Sequence, residues 1–256
     1  MRSVLSRFRV GSVPYLNALP LTAGVEDAIV QLPPAELARR LSDGRLDAAL
    51  ASSTEALFSP RYRALAGVGI VSRGPVYSVI LAHREPLHGM RRVYLDTDSC
   101  TSVNLVRVLL GERGIRPDFF PLPAKADPTQ YDNVLLIGNP AIDFRRAQTD
   151  HSVWDLGQAW DEMIKLPFTF AMWTFRDGFV SKPLTNALRE VAEAGIAQIP
   201  ALVAAHQEFD LPFRQAYLGG HIQYRLDQRA QDGLSRFSEL LNRFTGRPVY
   251  PIRWVD

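Results

Sequence analysis

Small hydrogen-bonding side chains follow four apolar runs of the chain, each at a point where a β-strand is predicted to end. These side chains are Asn17, Ser52, Ser53, the segment from Ser99 to Ser102, and Asn139. Ligands bind at the carboxyl ends of strands in open α/β sheets, so the recurrence predicts one shared binding site. Hydroxyl and amide groups hold a ligand by hydrogen bonds and supply no strong base. For Ser52 or Ser53 taken alone, a turn-forming role is the structural alternative.

The segment from Gly11 to Leu21 contains two prolines, a tyrosine and an asparagine directly after the first apolar run. Proline restricts the backbone, so the segment predicts a binding loop of fixed shape that carries Tyr15 and Asn17. The alternative is that Pro14 and Pro20 only end a strand and begin a helix.

Two predicted helices begin with residues that suit an anion. Ser99, Thr101 and Ser102 are each able to cap a helix from about Val103 to Arg113, and Asn139-Pro140 repeats the arrangement at the next strand exit. A helix N-terminus offers free backbone N–H groups and the positive end of a dipole, which favour a carboxylate or a phosphate. Capping without any ligand explains the same residues.

Composition excludes several function classes. The 256 residues carry 29 basic and 27 acidic side chains, and no basic run with interleaved aromatics supports nucleic-acid binding. No window approaches the roughly 20 apolar residues of a membrane span. The first nine residues lack the apolar core of a secretory signal, so a cytoplasmic location is expected. No feature of the sequence indicates an oligomeric state.

The sequence also lacks the signatures of metal and cofactor sites. Cys100 is the only cysteine, and the five histidines show no metal-ligand spacing. No nucleophile elbow, phosphate-binding glycine loop or dinucleotide fingerprint is present. We therefore expect neither a metal nor a cofactor. Cys100 beside a helix N-terminus is a weak nucleophile candidate without a base partner, and a small residue in a tight turn explains it better.

The order of predicted elements indicates an α/β protein with two lobes. Strands and helices alternate through the first two thirds of the chain, and the last third is helical. We predict a discontinuous first lobe over residues 1–82 and 175–256, a second lobe over residues 83–174, and a ligand cleft between them. The aromatic run Leu166–Trp173 favours packing between the lobes, with Phe168 or Phe170 as a wall for a flat ring.

Seven groups of residues, in chain order, carry a family resemblance. They are Gly11–Leu21; Gly44–Leu50 with Ser52-Ser53; Ser72–Val79; Leu95-Asp96 with Ser99 and Thr101-Ser102; Leu136–Ala141; Asp155–Gly157 with Trp160; and Leu166–Trp173. Together they resemble the chorismate dehydratase family, which opens the futalosine route to menaquinone. The match is weaker in the C-terminal helices. Asn139 replaces an expected aspartate, and Ile164-Lys165 replace an expected Thr-Gly.

The resemblance implies a fold and a reaction. The fold is that of type II periplasmic solute-binding proteins, and the reaction converts chorismate to 3-[(1-carboxyvinyl)oxy]benzoate and water without a cofactor. Asn17 is the expected catalytic residue: it orients the substrate or the leaving hydroxyl, while the enolpyruvyl carboxylate of the substrate takes the ring proton. The expected substrate-binding residues are Tyr15, Ser52, Ser53, Ser72, Ser99, Thr101, Ser102, Gly138, Asn139, Phe168 and Phe170.

Three other functions share this fold. A non-catalytic solute-binding protein for a small aromatic or carboxylate ligand is the main alternative. A related enzyme of the same pathway forms a dihydroxynaphthoate, but its family opens with a different loop from Tyr15-Leu16-Asn17. A regulatory effector domain is also possible by fold, although no helix-turn-helix precedes Phe8.

Overall fold

The computed structural model describes residues 1–96, 98 and 100–256. The strands are β1 (Val10–Ser12), β2 (Val30–Gln31), β3 (Ala48–Ser52), β4 (Tyr62–Ser72), β5 (Val79–His83), β6 (Arg92–Leu95), β7 (Asp118–Pro121), β8 (Asn133–Ile137), β9 (Ser152–Asp155), β10 (Phe168–Arg176), β11 (Gln223–Leu226) and β12 (Trp254–Val255). The α-helices are α1 (Arg2–Leu5), α2 (Leu19–Thr22), α3 (Pro34–Ser42), α4 (Ser53–Phe58), α5 (Cys100–Glu112), α6 (Gly138–Arg146), α7 (Leu156–Ile164), α8 (Lys182–Ala197), α9 (Ile199–Ala205), α10 (Leu211–Ala216) and α11 (Gln228–Thr245). Short 3-10 helices lie at Leu16–Ala18, Glu26–Ala28, Leu87–Gly89 and Pro128–Gln130, and a π-helix lies at Tyr217–His221.

The strands form two mixed sheets. The first has the order β11-β4-β10-β3-β1-β2, with β12 also paired to β4. In it β1 runs parallel to β2 and β3, whereas β10 runs antiparallel to both β3 and β4. The second has the order β7-β6-β8-β5-β9, with β5 antiparallel to both of its neighbours. We call the sheet that contains β1 the first lobe and the other the second lobe.

The chain passes between the lobes twice. It leaves the first sheet after Ser72 and joins the second at Val79, then leaves the second after Asp155 and rejoins the first at Phe168 through α7. Sheet membership therefore places both passages several residues before the expected boundaries at 82/83 and 174/175. The second sheet is an insertion into the first lobe.

Continuous apolar runs make the central strands. All residues of β8 are buried, as are the first four residues of β3, Ala48 to Ala51. Such runs suit strands covered on both faces, and both sheets carry helices. These strands end directly at α4 and α6, so their carboxyl ends deliver the polar residues that follow them.

Helix α5 joins the lobes. It packs on α7 and β8 on one side and on α4 and α11 of the first lobe on the other. Gly111 allows the close approach to α11, because a Cβ there would lie 2.5 Å from the Phe244 ring. Glu112 accepts a hydrogen bond from Arg243 at 2.8 Å across the same contact. The lobes are thus in direct contact beside the cleft.

Candidate active site

A cavity lies where the strand ends of the two lobes meet. Its empty space, with the open mouth included, amounts to about 540 Å³. The first lobe contributes Val13, Tyr15, Asn17, Pro34, Leu50, Ser52, Ile70, Phe170 and Ala171; the second lobe and the passage into it contribute Val76, Ser78, Val79, Ser102, Ile137 and Gly138. Apolar walls therefore surround a few hydroxyl and amide groups.

Half of the predicted site residues line this cavity. They are Tyr15, Asn17, Ser52, Ser102, Gly138 and Phe170. They come from strand exits in both lobes, so the structure brings the predicted polar groups together. Tyr15 and Gly138 are in direct contact: a Cβ on Gly138, whose φ is +60°, would lie 3.3 Å from the tyrosine ring.

Ser53 and Thr101 lie beside the cavity, and their side chains form a hydrogen bond between α4 of the first lobe and α5 of the second. Their hydroxyl oxygens are 3.3 Å apart, and Ser53 also donates to the carbonyl of Thr169 at 2.8 Å. Thr54 donates its backbone N–H to Thr101 Oγ1 at 3.3 Å, and the Thr54 hydroxyl lies 3.3 Å from the same oxygen. All three of Ser53, Thr54 and Thr101 are buried. We call them the hydroxyl seam; among the described residues that line the cavity, none belongs to it.

Ser72 and Phe168 lie behind the cavity wall. Phe168 is 1% exposed and packs edge-on against Trp160, Phe170 and Phe237. Ser72 is buried, and its Oγ has no hydrogen-bond partner among the described residues. The ring that reaches the cavity is Phe170, supported from behind by Phe168.

Asn139 is not among the residues that line the cavity, and its amide donates to Glu208 of the first lobe. At the end of α6, Arg146 pairs with Asp210 on the same segment of the first lobe. The Arg146 guanidinium also lies 5.3 Å from the ring centroid of Phe213. We call Asn139, Arg146, Glu208 and Asp210 the charged clasp. An amide at position 139 donates to Glu208, where an aspartate would repel it.

Ser99 lies outside the described residues. Its neighbour Cys100 is half-buried, and burial raises the pKa of the thiol. Asn104 donates its amide to the backbone carbonyl of Cys100 at 2.8 Å. A raised pKa keeps the thiol protonated near neutral pH, which disfavours a nucleophilic role.

Two polar residues at the site were missed from the sequence. Ser78 lines the cavity, and Tyr217 lies behind it and donates to Ser78 Oγ at 2.6 Å. Ser78 belongs to the segment Ser72–Val79 that carries the resemblance, so a signal for it existed. Tyr217 lies in the C-terminal helical region, where no motif marks it.

Asp155 fixes both passages between the lobes. As N-cap of α7 it accepts the N–H groups of Gly157 and Gln158 at 3.0 and 3.1 Å. It also accepts from Val76 at 3.0 Å and from Tyr77 at 2.8 Å, on the other passage. Arg145 completes the set with an ion pair at 3.0 Å. These bonds hold Tyr77 at φ +69°, in the left-handed region, and thereby place Ser78 at the cavity.

The cavity lining is electrically neutral. None of its described residues carries an ionisable group except Tyr15, whose pKa is raised by burial and by the nearby carboxylates of Asp96 and Asp98. Burial also raises the pKa of Asp96. Tyr15 is therefore a protonated hydrogen-bond donor. At the start of α6 no side chain caps the helix, and the backbone N–H of Gly138 donates to the carbonyl of Ser78 at 2.8 Å.

The described residues contain no metal-ligand cluster and no candidate membrane span. No three His, Cys, Asp or Glu side chains in this part of the chain are grouped to hold a metal ion. No helix in the same part is long and apolar enough to cross a bilayer. The polar groups of the described cavity lining are hydroxyls, the Asn17 amide and backbone groups.

Solved structures with similar architecture include a binding protein. An alkanesulfonate-binding protein from Xanthomonas axonopodis pv. citri superimposes with a TM-score of 0.68 and 15% identity, over 96% of this chain and 95% of that one. A protein from Archaeoglobus fulgidus gives a TM-score of 0.72 and 17% identity, over 93% and 97%. At these identities the likeness concerns the fold, which is periplasmic-binding-protein-like, with two lobes and a cleft.

Sequence comparison extends from fold to family. A curated chorismate dehydratase from Thermus thermophilus is 31% identical over 277 residues, spanning 95% of this chain and 99% of the relative. A family model described as menaquinone biosynthesis matches residues 8–243. The match thus includes both lobes, the cavity and most of the C-terminal helices. The chain belongs to the menaquinone biosynthesis family, in agreement with the resemblance carried by its strand-exit motifs.

Proposed function

We propose that this protein is a chorismate dehydratase, which converts chorismate to 3-[(1-carboxyvinyl)oxy]benzoate and water. The observation that carries the proposal is the 31% identity to a chorismate dehydratase over nearly the full length of both chains. The site geometry supports it, because a cavity with apolar walls and neutral donors suits an unsaturated ring that bears carboxylates. Phe170 and Ile70 provide apolar surface for the ring, and hydroxyls of Tyr15, Ser52 and Ser102 provide polar contacts.

The proposed reaction removes one proton and one hydroxyl from adjacent ring carbons. The carbon that bears the enolpyruvyl ether loses its proton, its neighbour loses the hydroxyl, and the electron pair of the broken C–H bond completes an aromatic ring. The proton and the hydroxyl leave together as water. Aromatisation makes the step strongly favourable, so the protein needs mainly to position the substrate and stabilise the developing charge.

No described residue of the lining is suited to act as the base. Asn17 and the serines are neutral, and Tyr15 stays protonated because its pKa is raised. We therefore assign removal of the proton to the enolpyruvyl carboxylate of the substrate, which is attached to the reacting carbon and then passes the proton to the leaving hydroxyl, so that water departs. Asn17 then holds the substrate or the leaving hydroxyl. No cofactor enters this scheme.

The direct test is incubation of the purified protein with chorismate, followed by mass spectrometry. We expect a product lighter by one water, with the absorbance of an aromatic ring. Activity that survives gel filtration and chelation supports cofactor independence. Tight chorismate binding without conversion would instead identify a solute-binding protein, and chorismate left unbound and unchanged would favour the dihydroxynaphthoate-forming relative.

Asn17→Ala tests the assigned catalytic role. We expect kcat to fall by about 10²- to 10³-fold, as for the loss of one preorganised polar contact to a developing charge. Asn242→Ala, which removes an exposed amide on α11, is the matched control and should leave kcat unchanged. Full turnover by the Asn17 variant would show that the amide is dispensable.

A cytoplasmic location is part of the same proposal, supported by the biosynthetic activity of the curated relative. Cell fractionation with an antibody against the protein tests it. Recovery of the protein from the periplasmic or extracellular fraction would contradict it and favour the binding-protein alternative.

A further inference from the structure

Tyr217 occupies an unusual position behind the cavity. It begins the π-helix Tyr217–His221 and is 1% exposed. Its ring stacks on Phe213, with centroids 5.4 Å apart and an interplanar angle of 14°. π-helical turns are rare and occur frequently at functional sites. The turn contacts the 3-10 helix Leu16–Ala18, which carries Asn17.

The Tyr217 hydroxyl links the two polar residues that face the cavity from different lobes. It donates to Ser78 Oγ at 2.6 Å, and its oxygen also interacts with the Asn17 side chain. A phenol has one proton, which Ser78 receives here, so Asn17 faces the phenol oxygen with its amide Nδ2. Burial raises the pKa of Tyr217, so the phenol keeps that proton.

These directions decide what the cavity offers a ligand. Because Asn17 Nδ2 points to Tyr217, its Oδ1 is left over, and this buried oxygen has no partner among the described residues. Because Ser78 Oγ accepts from Tyr217, its own proton is available for donation. The lining thus offers a ligand one acceptor, Asn17 Oδ1, and one donor, the Ser78 hydroxyl. The contacts of both side chains with Tyr217 determine these roles.

We propose that Tyr217 is a positioning residue that fixes the amide orientation of Asn17 and the donor direction of Ser78 for catalysis. The inference rests on the proposed function, since the reaction is what the arrangement serves. Tyr217 is not among the described residues that line the cavity, so it acts through its neighbours.

The chain supplies a matched control in Tyr224. This residue lies on β11, is also buried, and its hydroxyl has no partner among the described residues. Tyr224→Phe removes the same atom from a similar environment without touching Asn17 or Ser78. A difference between Tyr217→Phe and Tyr224→Phe therefore reports the contacts with Ser78 and Asn17 and not the loss of a buried hydroxyl.

The first measurement is steady-state kinetics with chorismate, alongside circular dichroism. We expect Tyr217→Phe to lower kcat by about 10- to 100-fold with a smaller change in KM, the pattern of an interaction that matters mainly in the transition state. Tyr224→Phe should match the native enzyme. Equal kinetics for the two variants, both folded, would overturn the inference.

The second measurement is a double-mutant cycle. If Tyr217 acts through Asn17, Tyr217→Phe should cause little further loss in an Asn17→Ala background, whereas independent roles would multiply the two losses. Chorismate affinity, measured by calorimetry in the same four proteins, gives a cycle that does not need turnover. Additive effects in both cycles would overturn the positioning role alone. A native chain that neither binds nor converts chorismate would overturn the proposed function as well.

Discussion

The hydroxyl seam and the charged clasp both join the two lobes, and they do so by different physical means. The hydroxyl seam consists of neutral groups that are fully buried between α4 and α5. The charged clasp consists of one ion pair and one amide–carboxylate hydrogen bond between α6 and the segment before α10. Arg146 and Asp210 in the ion pair are 38% and 48% exposed. Buried hydrogen bonds are costly to break, because each lost partner leaves an unsatisfied group, whereas exposed ion pairs are screened by water and salt.

The difference indicates which contact yields first. Opening the hydroxyl seam breaks hydrogen bonds between buried groups that have no contact with water. Opening the charged clasp costs little free energy, because its charged groups are already partly hydrated. We expect the clasp to release before the seam when a ligand enters. Asp155 provides a third kind of contact between the lobes, because its carboxylate is charged like the clasp and buried like the hydroxyl seam.

The largest effect is expected at Asp155. Asp155→Asn removes the charge that pairs with Arg145. It also replaces one carboxylate oxygen by an amide NH₂, which cannot accept hydrogen bonds from the backbone N–H groups that now donate to Asp155. We expect the free energy of unfolding to fall by about 2–4 kcal/mol, as for disruption of a buried, hydrogen-bonded ion pair. Urea denaturation measures the change.

The control for burial is Asp150→Asn. Asp150 also pairs with an arginine, Arg84 at 2.8 Å, but its side chain is 70% exposed. We expect no resolvable change in the urea midpoint for this variant. Similar losses for Asp155 and Asp150 would mean that charge, not burial, decides how strongly a contact holds the lobes.

An intermediate effect is expected at Thr101. Thr101→Val keeps the shape of the side chain but leaves the Thr54 N–H and two hydroxyls without this partner. The expected loss is about 1–3 kcal/mol in the free energy of unfolding. Thr101→Ser retains the oxygen and should recover most of it. A valine variant as stable as the native protein would show that packing alone holds the seam.

The smallest effect is expected at Asp210. Asp210→Asn removes the ion pair with Arg146 but retains an oxygen for the N-cap bond from Phe213, which measures 2.9 Å. A small decrease in thermal midpoint is expected at low salt, and none at 1 M salt, where screening is nearly complete. A decrease in thermal midpoint that persists at 1 M salt would show that the charged clasp behaves as a buried ion pair.

The same variant should change the acid dependence of stability. The hydrogen bond from Arg146 lowers the pKa of Asp210 in the folded protein. The resulting stabilisation is fully present above the ordinary carboxyl pKa of about 4 and is lost as the pH falls through the lower folded value. The midpoints of the native protein and Asp210→Asn should therefore differ near neutrality and converge in acid.

Sequence patterns predicted the two-lobed α/β fold, and half of the predicted site residues line the cavity. Neighbouring residues show why the position of the others was not predictable. Ser52 ends β3 and lines the cavity, whereas Ser53 begins α4 and belongs to the hydroxyl seam. The two are the same residue type in one polar turn. Which one faces the ligand depends on where strand gives way to helix, and that boundary is set by packing rather than by local propensity.

Long-range placement explains the other differences. Phe168 and Phe170 are two positions apart on β10, so a regular strand would place both rings on the same face. A β-bulge between Thr169 and Ala171 changes this, and only Phe170 reaches the cavity. Tyr217 reaches the site from 139 positions beyond Ser78. No local pattern relates residues so far apart. Ligand contacts of the lining residues stay predictions until the variants are measured.

The neutral lining has a consequence for selectivity. A ligand that carries charge must shed its hydration to enter, and no opposite charge among the described lining residues compensates for that loss. Only a ligand whose oxygens fall where the hydroxyl and N–H groups point recovers the solvation it gave up. We therefore expect the cleft to select anions by the placement of their oxygen atoms and not by their total charge, and to reject a misplaced carboxylate more strongly than a missing one.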